Sequence, residues 1–262
     1  MSLSEEQIAQ LSADLIEARR TRSPIQALTD RFSDLSYEDA YAIQLKTIDT
    51  LIKAGAVVVG KKIGLTRKAM QDKMGLHEPV YGIITDRMVA REGAPISISG
   101  LILPRIEAEI AFLLKKDLRG PGVNVARVIE ATEGVMPAFD VVDSRYTGSS
   151  VTIKDVIADN VSAARIVLGG KLTSVKDIDL RCVGLVLEKN GSVVGTAAGA
   201  EVLDNPVQSV AWLANKLAKH GISLTKGEFV MSGSLVPGLK VEAGSHIRAT
   251  FDRLGSVSVS FD

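Results

Sequence analysis

The segment Arg105-Ile106-Glu107-Ala108-Glu109-Ile110-Ala111-Phe112 places two carboxylates inside an otherwise apolar run. Side chains of a strand point alternately to its two faces, so Glu107 and Glu109 share one face while the apolar residues between them take the other. The pattern predicts a strand over residues 106–114. Two acids on one face repel each other unless a cation neutralises them, and a hard cation such as Mg²⁺ prefers oxygen ligands. An edge strand that carries two solvated acids is the alternative.

A second acid lies in the apolar segment Pro137-Ala138-Phe139-Asp140-Val141-Val142, for which a strand is expected over residues 136–142. On strand alternation, Asp140 shares its face with Ala138 and Val142, and a carboxylate in such surroundings needs a partner. The sequence leaves two possible partners for Asp140. Asp140 is either a third ligand of the same cation, or it pairs with Arg145 or another basic residue.

Two further loops carry polar groups beside expected strands. The segment Gly60-Lys61-Lys62-Ile63-Gly64-Leu65-Thr66 places basic residues between glycines, and a lysine there either serves the chemistry or lies in a solvated surface turn. Its spacing is not that of a phosphate-binding P-loop. The segment Ser232-Gly233-Ser234-Leu235 offers backbone N–H groups that suit a carboxylate, although such turns are common.

The order of expected elements is helices first and then mostly strands. Capping-box patterns at Ser4-x-x-Gln7 and Ser36-x-x-Asp39 predict helices within residues 1–55, and β-like segments follow in residues 56–262. Further strands are expected at 80–84, 96–98, 165–168, 183–188, 193–197, 228–232, 246–251 and 256–261. With no regular alternation of strands and helices, the chain is predicted to be α+β with a mixed or antiparallel sheet, which excludes a Rossmann fold or a TIM barrel.

Composition excludes several classes of protein. The 262 residues carry 31 basic and 31 acidic side chains, which gives no electrostatic basis for binding nucleic acid or an anionic membrane. The single cysteine, Cys182, excludes an intramolecular disulfide and a cysteine-based zinc site. The polar N-terminus is unlike a signal peptide, and no apolar run approaches the roughly 18 residues that a membrane span needs. A cytoplasmic protein is therefore expected.

Several segments together resemble one known family. In chain order they are Gly60-Lys61-Lys62-Ile63-Gly64-Leu65-Thr66, Glu107-x-Glu109, Gly120-Pro121-Gly122, Asp143-Ser144-Arg145, Ala158-Asp159-Asn160 and Leu254-Gly255-Ser256-Val257. This order is similar to that of the 2-oxopent-4-enoate hydratase / 4-oxalocrotonate decarboxylase family, within the fumarylacetoacetate hydrolase superfamily. The resemblance covers nearly the whole chain.

The resemblance implies a Mg²⁺- or Mn²⁺-dependent lyase of aromatic meta-cleavage catabolism. Residues 56–262 would form a mixed β-roll catalytic domain after an N-terminal helical region over residues 1–55, and the chain would assemble as a homo-oligomer. The positions that match the family's metal ligands are Glu107, Glu109 and Asp140, the last of which is usually Glu in this branch. Lys62 matches the active-site lysine, and Lys62, Tyr81 and Ser234 are the expected contacts of a small anionic 2-oxo acid.

The same resemblance leaves the reaction open between branches. Hydratases carry Pro-Asp-Phe/Tyr-Gly where this chain has Pro79-Val80-Tyr81-Gly82, which favours decarboxylation of a 2-oxo-3-enedioate. The segment Leu114-Lys115-Lys116-Asp117-Leu118 is more similar to the hydratases, so hydration of 2-hydroxypenta-2,4-dienoate is the alternative. A poorly active partner subunit of a decarboxylase–hydratase complex is a further alternative. Gly148-Ser149-Ser150 replaces the family's aromatic-Lys pair, which implies altered substrate choice or lost activity.

Overall fold

The computed structural model describes residues 3–148 and 150–262. Met1, Ser2 and the middle residue of Gly148-Ser149-Ser150 lie outside the described residues. The helices are α1 (Glu5–Thr21), α2 (Leu28–Arg31), α3 (Tyr37–Lys53), α4 (Lys68–Met74), α5 (Val125–Ala131), α6 (Ile153–Ala158) and α7 (Pro206–Ala218).

The two long N-terminal helices begin where the capping boxes predict. Ser4 Oγ accepts a hydrogen bond from the backbone N–H of Gln7, and the Gln7 side chain accepts one from the N–H of Ser4. Ser36 and Asp39 make the same reciprocal pair at the start of α3. These contacts satisfy N–H groups that a helix leaves unpaired at its first turn. The division of the chain at residue 55 into two domains stays a prediction.

The strands form two sheets. They are β1 (Val58–Gly64), β2 (Val80–Thr85), β3 (Val89–Ala90), β4 (Arg105–Leu114), β5 (Thr132–Val142), β6 (Ala163–Leu168), β7 (Gly184–Lys189), β8 (Ser192–Ala198), β9 (Phe229–Met231), β10 (Leu239–Lys240), β11 (His246–Phe251) and β12 (Gly255–Ser260). The larger sheet has the order β2-β1-β9-β4-β5-β6-β3, and β10 pairs with β4. The smaller sheet has the order β12-β11-β7-β8.

Strand β4 lies inside the larger sheet, between β9 and β5, and is antiparallel to both. The alternative of an edge strand with two solvated acids is therefore wrong. The pairs β1–β9 and β3–β6 are parallel, whereas the other pairs of this sheet are antiparallel. The sheet is mixed and curled, and the predicted α+β class is confirmed.

The two faces of the larger sheet carry different side chains. The face with Ile63, Ile106 and Ile110 belongs to the main hydrophobic core, which also includes residues of the N-terminal helices and of the smaller sheet. The opposite face carries a smaller apolar cluster, which includes Ala111 and Ala138. By strand alternation, the acids predicted as metal ligands lie on this second face.

Of three local expectations, the structure contradicts two and confirms one. Residues 96–98 do not form a strand, because Ile96 makes only an isolated bridge to Phe261 and a 3-10 turn follows at Ile98–Gly100. The basic segment after Gly60 is not a surface turn, since it lies within β1 and its lysines are buried. The Asn190-Gly191 pair predicts a tight hairpin turn within residues 189–192, and the structure confirms it, since both residues have the positive φ angles that such a turn requires.

Candidate metal centre

The register of β4 and β5 brings the predicted acids together. Glu107 lies directly opposite Asp140, and Glu109 lies opposite Ala138, two residues before Asp140. One carboxylate oxygen from each of Glu107, Glu109 and Asp140 lies within 4.8 Å of the others. Glu109 and Asp140 are buried, whereas Glu107 is half-buried and faces a pocket.

Lys62 completes this group from β1. Its side chain is 2% exposed, and Nζ forms an ion pair with Asp140 Oδ2. Nζ also donates a hydrogen bond of 2.8 Å to the backbone oxygen of Val161. The group Glu107, Glu109, Asp140 and Lys62, named the acidic cluster below, therefore carries three potential negative charges against one positive charge.

Burial raises the pKa of every carboxyl in the acidic cluster. For Glu107, burial and then the nearby Asp140 raise the pKa to about 7, although Lys62 opposes this. Burial, followed by repulsion from Asp140 and Glu107, raises the pKa of Glu109 well above its usual value. The pKa of Asp140 is also raised by burial, against the lowering effect of Lys62. Without a further cation, the ionised forms of these carboxyls are therefore disfavoured.

A divalent cation fits this donor set. Asp140 Oδ1 is buried and has no hydrogen-bond partner among the described residues, and an unpaired carboxylate oxygen inside a protein is costly. Glu109 Oε2 accepts a hydrogen bond of 2.8 Å from Gly233 N–H, which orients that carboxylate. Two excess negative charges on oxygen ligands match Mg²⁺ or Mn²⁺.

Arg145, the other partner considered for Asp140, belongs to a separate group. Its Nε donates to Asp159 Oδ1 at 2.5 Å, and Nη2 donates to the Asp159 backbone oxygen at 2.6 Å. Nη1 donates to the backbone oxygens of Asp143 and Ala163. The Asp143 carboxylate accepts hydrogen bonds from the backbone N–H groups of residues 102 and 103. Arg145, Asp159 and Asp143, named the arginine cluster below, thus satisfy one another and the backbone.

A pocket of about 300 Å³ opens beside Glu107. Its wall is formed by Gly64, Leu65, Thr66, Arg67, Met70, Arg105, Glu107, Ser234, Val236, Pro237 and Gly238. Ser234, a predicted substrate contact, lies in this wall, and its Oγ donates to the Val236 backbone oxygen at 2.6 Å. Lys62 is not part of the wall and reaches the site through Asp140.

The third predicted substrate contact, Tyr81, lies elsewhere. Tyr81 pairs with Ile63 and Gly82 pairs with Lys62, so the Tyr81 side chain is on the opposite face of the sheet from Lys62. Its ring stacks on Tyr41 with the centroids 4.6 Å apart, and the residue is fully buried. Burial raises the pKa of Tyr81 to about 12. The structure does not bring Tyr81 to the acidic cluster.

Two arginines of the pocket were missed as candidates from the sequence. Arg105 Nε and Nη2 both donate to the Gly238 backbone oxygen, at 2.9 and 2.6 Å. Arg67 Nε donates to Glu201 Oε2 at 3.2 Å. Arg105 could have been found from its spacing, since residues 105, 107 and 109 share one face of a strand. Arg67 lies after the strand and gives no such signal.

The turn Asn160–Ser162 is a further feature that the sequence did not reveal. All three residues have positive φ angles of 51–55°, which is unfavourable for a β-branched residue such as Val161. The Asn160 amide pins the turn by accepting from Ile83 N–H and donating to the Ile83 oxygen, each at 2.8 Å. The turn thereby holds the backbone oxygen that accepts from Lys62.

A mixed sheet that carries three clustered carboxylates on one face suits a divalent-metal enzyme. The model of the family described as fumarylacetoacetate (FAA) hydrolase C-terminal matches residues 51–261. The chain therefore belongs to this family.

Similar proteins of known function indicate which group of the family the chain belongs to. The chain is 48% identical to a 2-hydroxypent-2,4-dienoate hydratase of Pseudomonas putida over 217 residues, which cover 82% of this chain and 98% of the relative. It is 38% identical to a 4-oxalocrotonate decarboxylase of Pseudomonas putida, with 99% and 98% covered. The solved structure of 4-oxalocrotonate decarboxylase from Pseudomonas putida G7, complexed with magnesium and adipate, superimposes with a TM-score of 0.97 and 38% identity, over 100% of this chain and 99% of that one.

These similarities confirm the predicted class: the protein is a metal-dependent lyase of the decarboxylase and hydratase group. The superimposed decarboxylase structure holds magnesium, in agreement with the predicted kind of cofactor. Among the described residues, no helix is long and apolar enough to cross a membrane.

Proposed function

We propose that the protein decarboxylates a 2-oxo-3-enedioate of the 4-oxalocrotonate type to 2-hydroxypenta-2,4-dienoate. One observation carries this choice: the described wall of the pocket holds two arginines, Arg67 and Arg105, and Glu107 is its one acid. A substrate with a carboxylate at each end places one end at the metal centre and the other at the arginines. Arg67 already pairs with Glu201, whereas Arg105 contacts only the Gly238 backbone oxygen. A monocarboxylate leaves Arg105 without an anionic partner among the described residues.

The residues of this chain hold and orient the substrate in the proposed reaction. Glu107, Glu109 and Asp140 would hold the divalent cation, which supplies positive charge next to the C1 carboxylate and the 2-oxo oxygen. Arg105 is anchored on Gly238 and leaves Nη1 free of hydrogen bonds to the described residues, so that it can bind the distal carboxylate. The apolar wall excludes water from the conjugated chain.

The bond between the distal carboxylate and its neighbouring carbon breaks, and its electron pair moves through the conjugated system onto the 2-oxo oxygen as CO₂ leaves. That oxygen then takes a proton from solvent to give the 2-hydroxydiene. We assign Lys62 a role through Asp140, because its ammonium contacts that carboxylate and fixes its charge and direction. Ser234 lies where its hydroxyl can meet the substrate once it leaves the Val236 oxygen. Asp140 is shorter than the Glu usual in this branch, and its pairing with Lys62 from β1 keeps it in the cluster.

Hydration of 2-hydroxypenta-2,4-dienoate to 4-hydroxy-2-oxopentanoate is the second candidate, since the chain is 48% identical to a hydratase of that substrate class. Hydration needs a group that moves a proton to or from water. Val80, which stands where hydratases carry Asp, is buried and cannot supply one. The homo-oligomer, its association with a partner enzyme and the cytoplasmic location stay predictions.

Product analysis separates the two reactions. The protein is offered 2-oxo-3-hexenedioate and 2-hydroxypentadienoate separately, each with Mg²⁺ and each with a chelator, and CO₂ and 4-hydroxy-2-oxopentanoate are measured. We expect CO₂ from the first substrate only, and none with the chelator. Consumption of the second substrate alone would replace the proposal by the hydratase. No turnover of either substrate, together with tight co-purification of a hydratase, would support the partner-subunit alternative.

Replacing Arg105 tests the role given to the pocket arginines. Arg105→Met removes one charge-assisted hydrogen bond to the distal carboxylate, for which we expect KM of the dicarboxylate to rise about 10- to 100-fold. Arg91→Met, at an exposed arginine outside the pocket wall, is the control and should leave KM unchanged. An unchanged KM in both variants would remove Arg105 from substrate binding.

A further inference from the structure

A second cavity, of about 250 Å³, lies between the N-terminal helices and the larger sheet. It shares none of its described wall with the pocket beside Glu107. Its apolar wall is formed by Leu15 and Ile16 of α1, Ile48 and Leu51 of α3, and Met88, Ala158 and Ala163. Most of its surface is therefore suited to an apolar body.

The charged residues in the wall of this cavity carry an excess of positive charge. Three arginines lie in its wall, Arg19, Arg87 and Arg145, against one acid, Asp159. That acid is already bound to Arg145 through two side-chain oxygens. Arg87 donates to a backbone oxygen at 2.5 Å. Two guanidinium groups thus have no carboxylate partner among the described residues.

Arg19 is the least satisfied of the three. Its one hydrogen bond to the described residues is a contact of 3.5 Å to the Ala164 backbone oxygen. Burial, followed by repulsion from Arg145 and Arg165, lowers the pKa of Arg19 to about 10, even though Asp159 opposes this. A half-buried guanidinium without an anion is costly, and a bound carboxylate would remove that cost.

We propose that this cavity is a binding site for a small organic carboxylate with an apolar body. The carboxylate binds Arg19 and Arg87, and the body packs against the leucine, isoleucine and methionine side chains of the wall. Binding in this cavity stands apart from the reaction proposed above, because the wall includes neither the pocket nor the acidic cluster. Only the coupling described next rests on that reaction.

The position of the cavity couples it to the acidic cluster. Asp159 and Asn160 lie in its wall, and the next residue, Val161, supplies the backbone oxygen that accepts from Lys62. A ligand that packs against Asn160 restricts the Asn160–Ser162 turn and with it the acceptor of Lys62. Occupancy of the cavity therefore changes turnover without competing with the substrate.

Calorimetric titration of the Mg²⁺-loaded protein with benzoate tests the site. We expect saturable binding of benzoate and at least tenfold weaker binding of benzyl alcohol, which lacks the charge. Arg19→Met should weaken benzoate binding at least tenfold. Arg20→Met is the matched control, because Arg20 is the neighbouring residue of α1, is exposed and pairs with Glu17. Equal binding by both variants would overturn the proposal, as would absence of benzoate binding in the parent protein.

Two further measurements keep the outcome clear. Ile16→Trp fills the cavity from α1 without changing its charge, and it should abolish benzoate binding even if Arg19→Met fails to fold. Glu107→Gln should retain benzoate binding, whereas loss of binding in that variant would place benzoate at the metal centre and overturn the site. In turnover assays, benzoate should change kcat and leave KM unchanged. A rise in KM alone would mean competition, and an unchanged kcat would overturn the coupling.

Discussion

The acidic cluster and the arginine cluster are both buried, yet they balance their charges differently. In the arginine cluster, one guanidinium meets the Asp159 carboxylate and backbone oxygens, and the Asp143 carboxylate meets backbone N–H groups. In the acidic cluster, three carboxyls share one ammonium, which pairs with Asp140. Asp140 Oδ1 accepts no hydrogen bond from the described residues.

The difference separates a structural role from a binding role. A buried ion pair whose members are satisfied can be broken only at a large cost, and it needs nothing from outside the chain. A buried group with excess charge of one sign raises the pKa values of its own members and is completed by a ligand of opposite charge. The arginine cluster should therefore respond to mutation in stability, and the acidic cluster in metal binding and turnover.

Breaking the arginine cluster should give the largest loss of stability. Arg145→Met leaves Asp159 buried without its cation, for which we expect a fall of about 3–5 kcal/mol in the free energy of unfolding. Chemical denaturation monitored by circular dichroism measures this. Arg165→Met, at a half-buried arginine with one hydrogen bond to a backbone oxygen, is the control. A change below about 1 kcal/mol in Arg145→Met would contradict a structural role.

Removing one acid of the other cluster should act on function. Glu107→Gln neutralises a proposed metal ligand, and we expect turnover to fall about 100-fold or more, since even supporting groups around a metal cost 10- to 100-fold. Mg²⁺ affinity, measured by calorimetry, should fall as well. The metal-free protein should not lose stability, because the variant removes repulsion between buried acids. Glu133→Gln, at an exposed residue outside the cluster, serves for comparison; equal metal affinity in both variants would reject the assignment.

The metal-free protein should become less stable as pH rises from about 4.5 to about 7. In this window Glu107 holds a proton in the folded state and has lost it in the unfolded state, so the folded state binds more protons. Asp159, whose pKa burial raises to about 6, acts in the same direction over the lower part of the window. We expect a fall of several kcal/mol across it, since one pKa unit corresponds to about 1.4 kcal/mol. Melting curves at several pH values in the presence of a chelator should show this.

Metal should reverse the trend, because a bound cation favours the ionised carboxylates, so its stabilisation should grow with pH. Glu107→Gln should flatten the pH dependence of the metal-free protein. Stability that rises with pH in the metal-free parent protein would contradict the raised pKa values.

Mutation of the Asn160–Ser162 turn, which follows Asp159 of the arginine cluster and supports Lys62 of the acidic cluster, should have the smallest effect on stability and turnover. Asn160→Gly tolerates the positive φ angle but removes both hydrogen bonds to Ile83, so we expect a loss of about 1–2 kcal/mol and a several-fold lower kcat. Asn205→Gly, which removes a side-chain cap from α7, is a control of similar size for stability alone. A fall in kcat of the same size in both variants would show that the Asn160–Ser162 turn does not support Lys62.

Much of the fold and of the acidic cluster could be predicted from local patterns. The period of two around Glu107 and Glu109 and the capping boxes depend on neighbours in sequence, and the structure contains both features. The predicted strand at 96–98 failed because the chain there makes only one bridge to the C-terminal residues. Lys61 and Lys62 suggest a surface turn from their charge, but each is buried and pairs with an acid that is distant in sequence.

The pocket depends on contacts that no short segment encodes. Arg67 follows β1, whereas Ser234 follows β9, and the parallel pairing of these strands brings the two loops together. A family pattern predicts Tyr81 as a substrate contact, but its side chain lies on the face of β2 that points away from the acidic cluster. The left-handed backbone of Val161 has no sequence signature, because a β-branched residue rarely adopts it.

The position of Glu107 opposite Asp140 has a consequence for the folding of the chain. A slip of one residue between β4 and β5 would turn one set of acids to the opposite face, so no metal centre would form. A cation that binds these carboxylates would then stabilise only chains in which β4 and β5 are correctly aligned. During refolding, Mg²⁺ uptake should therefore not precede the pairing of β4 with β5.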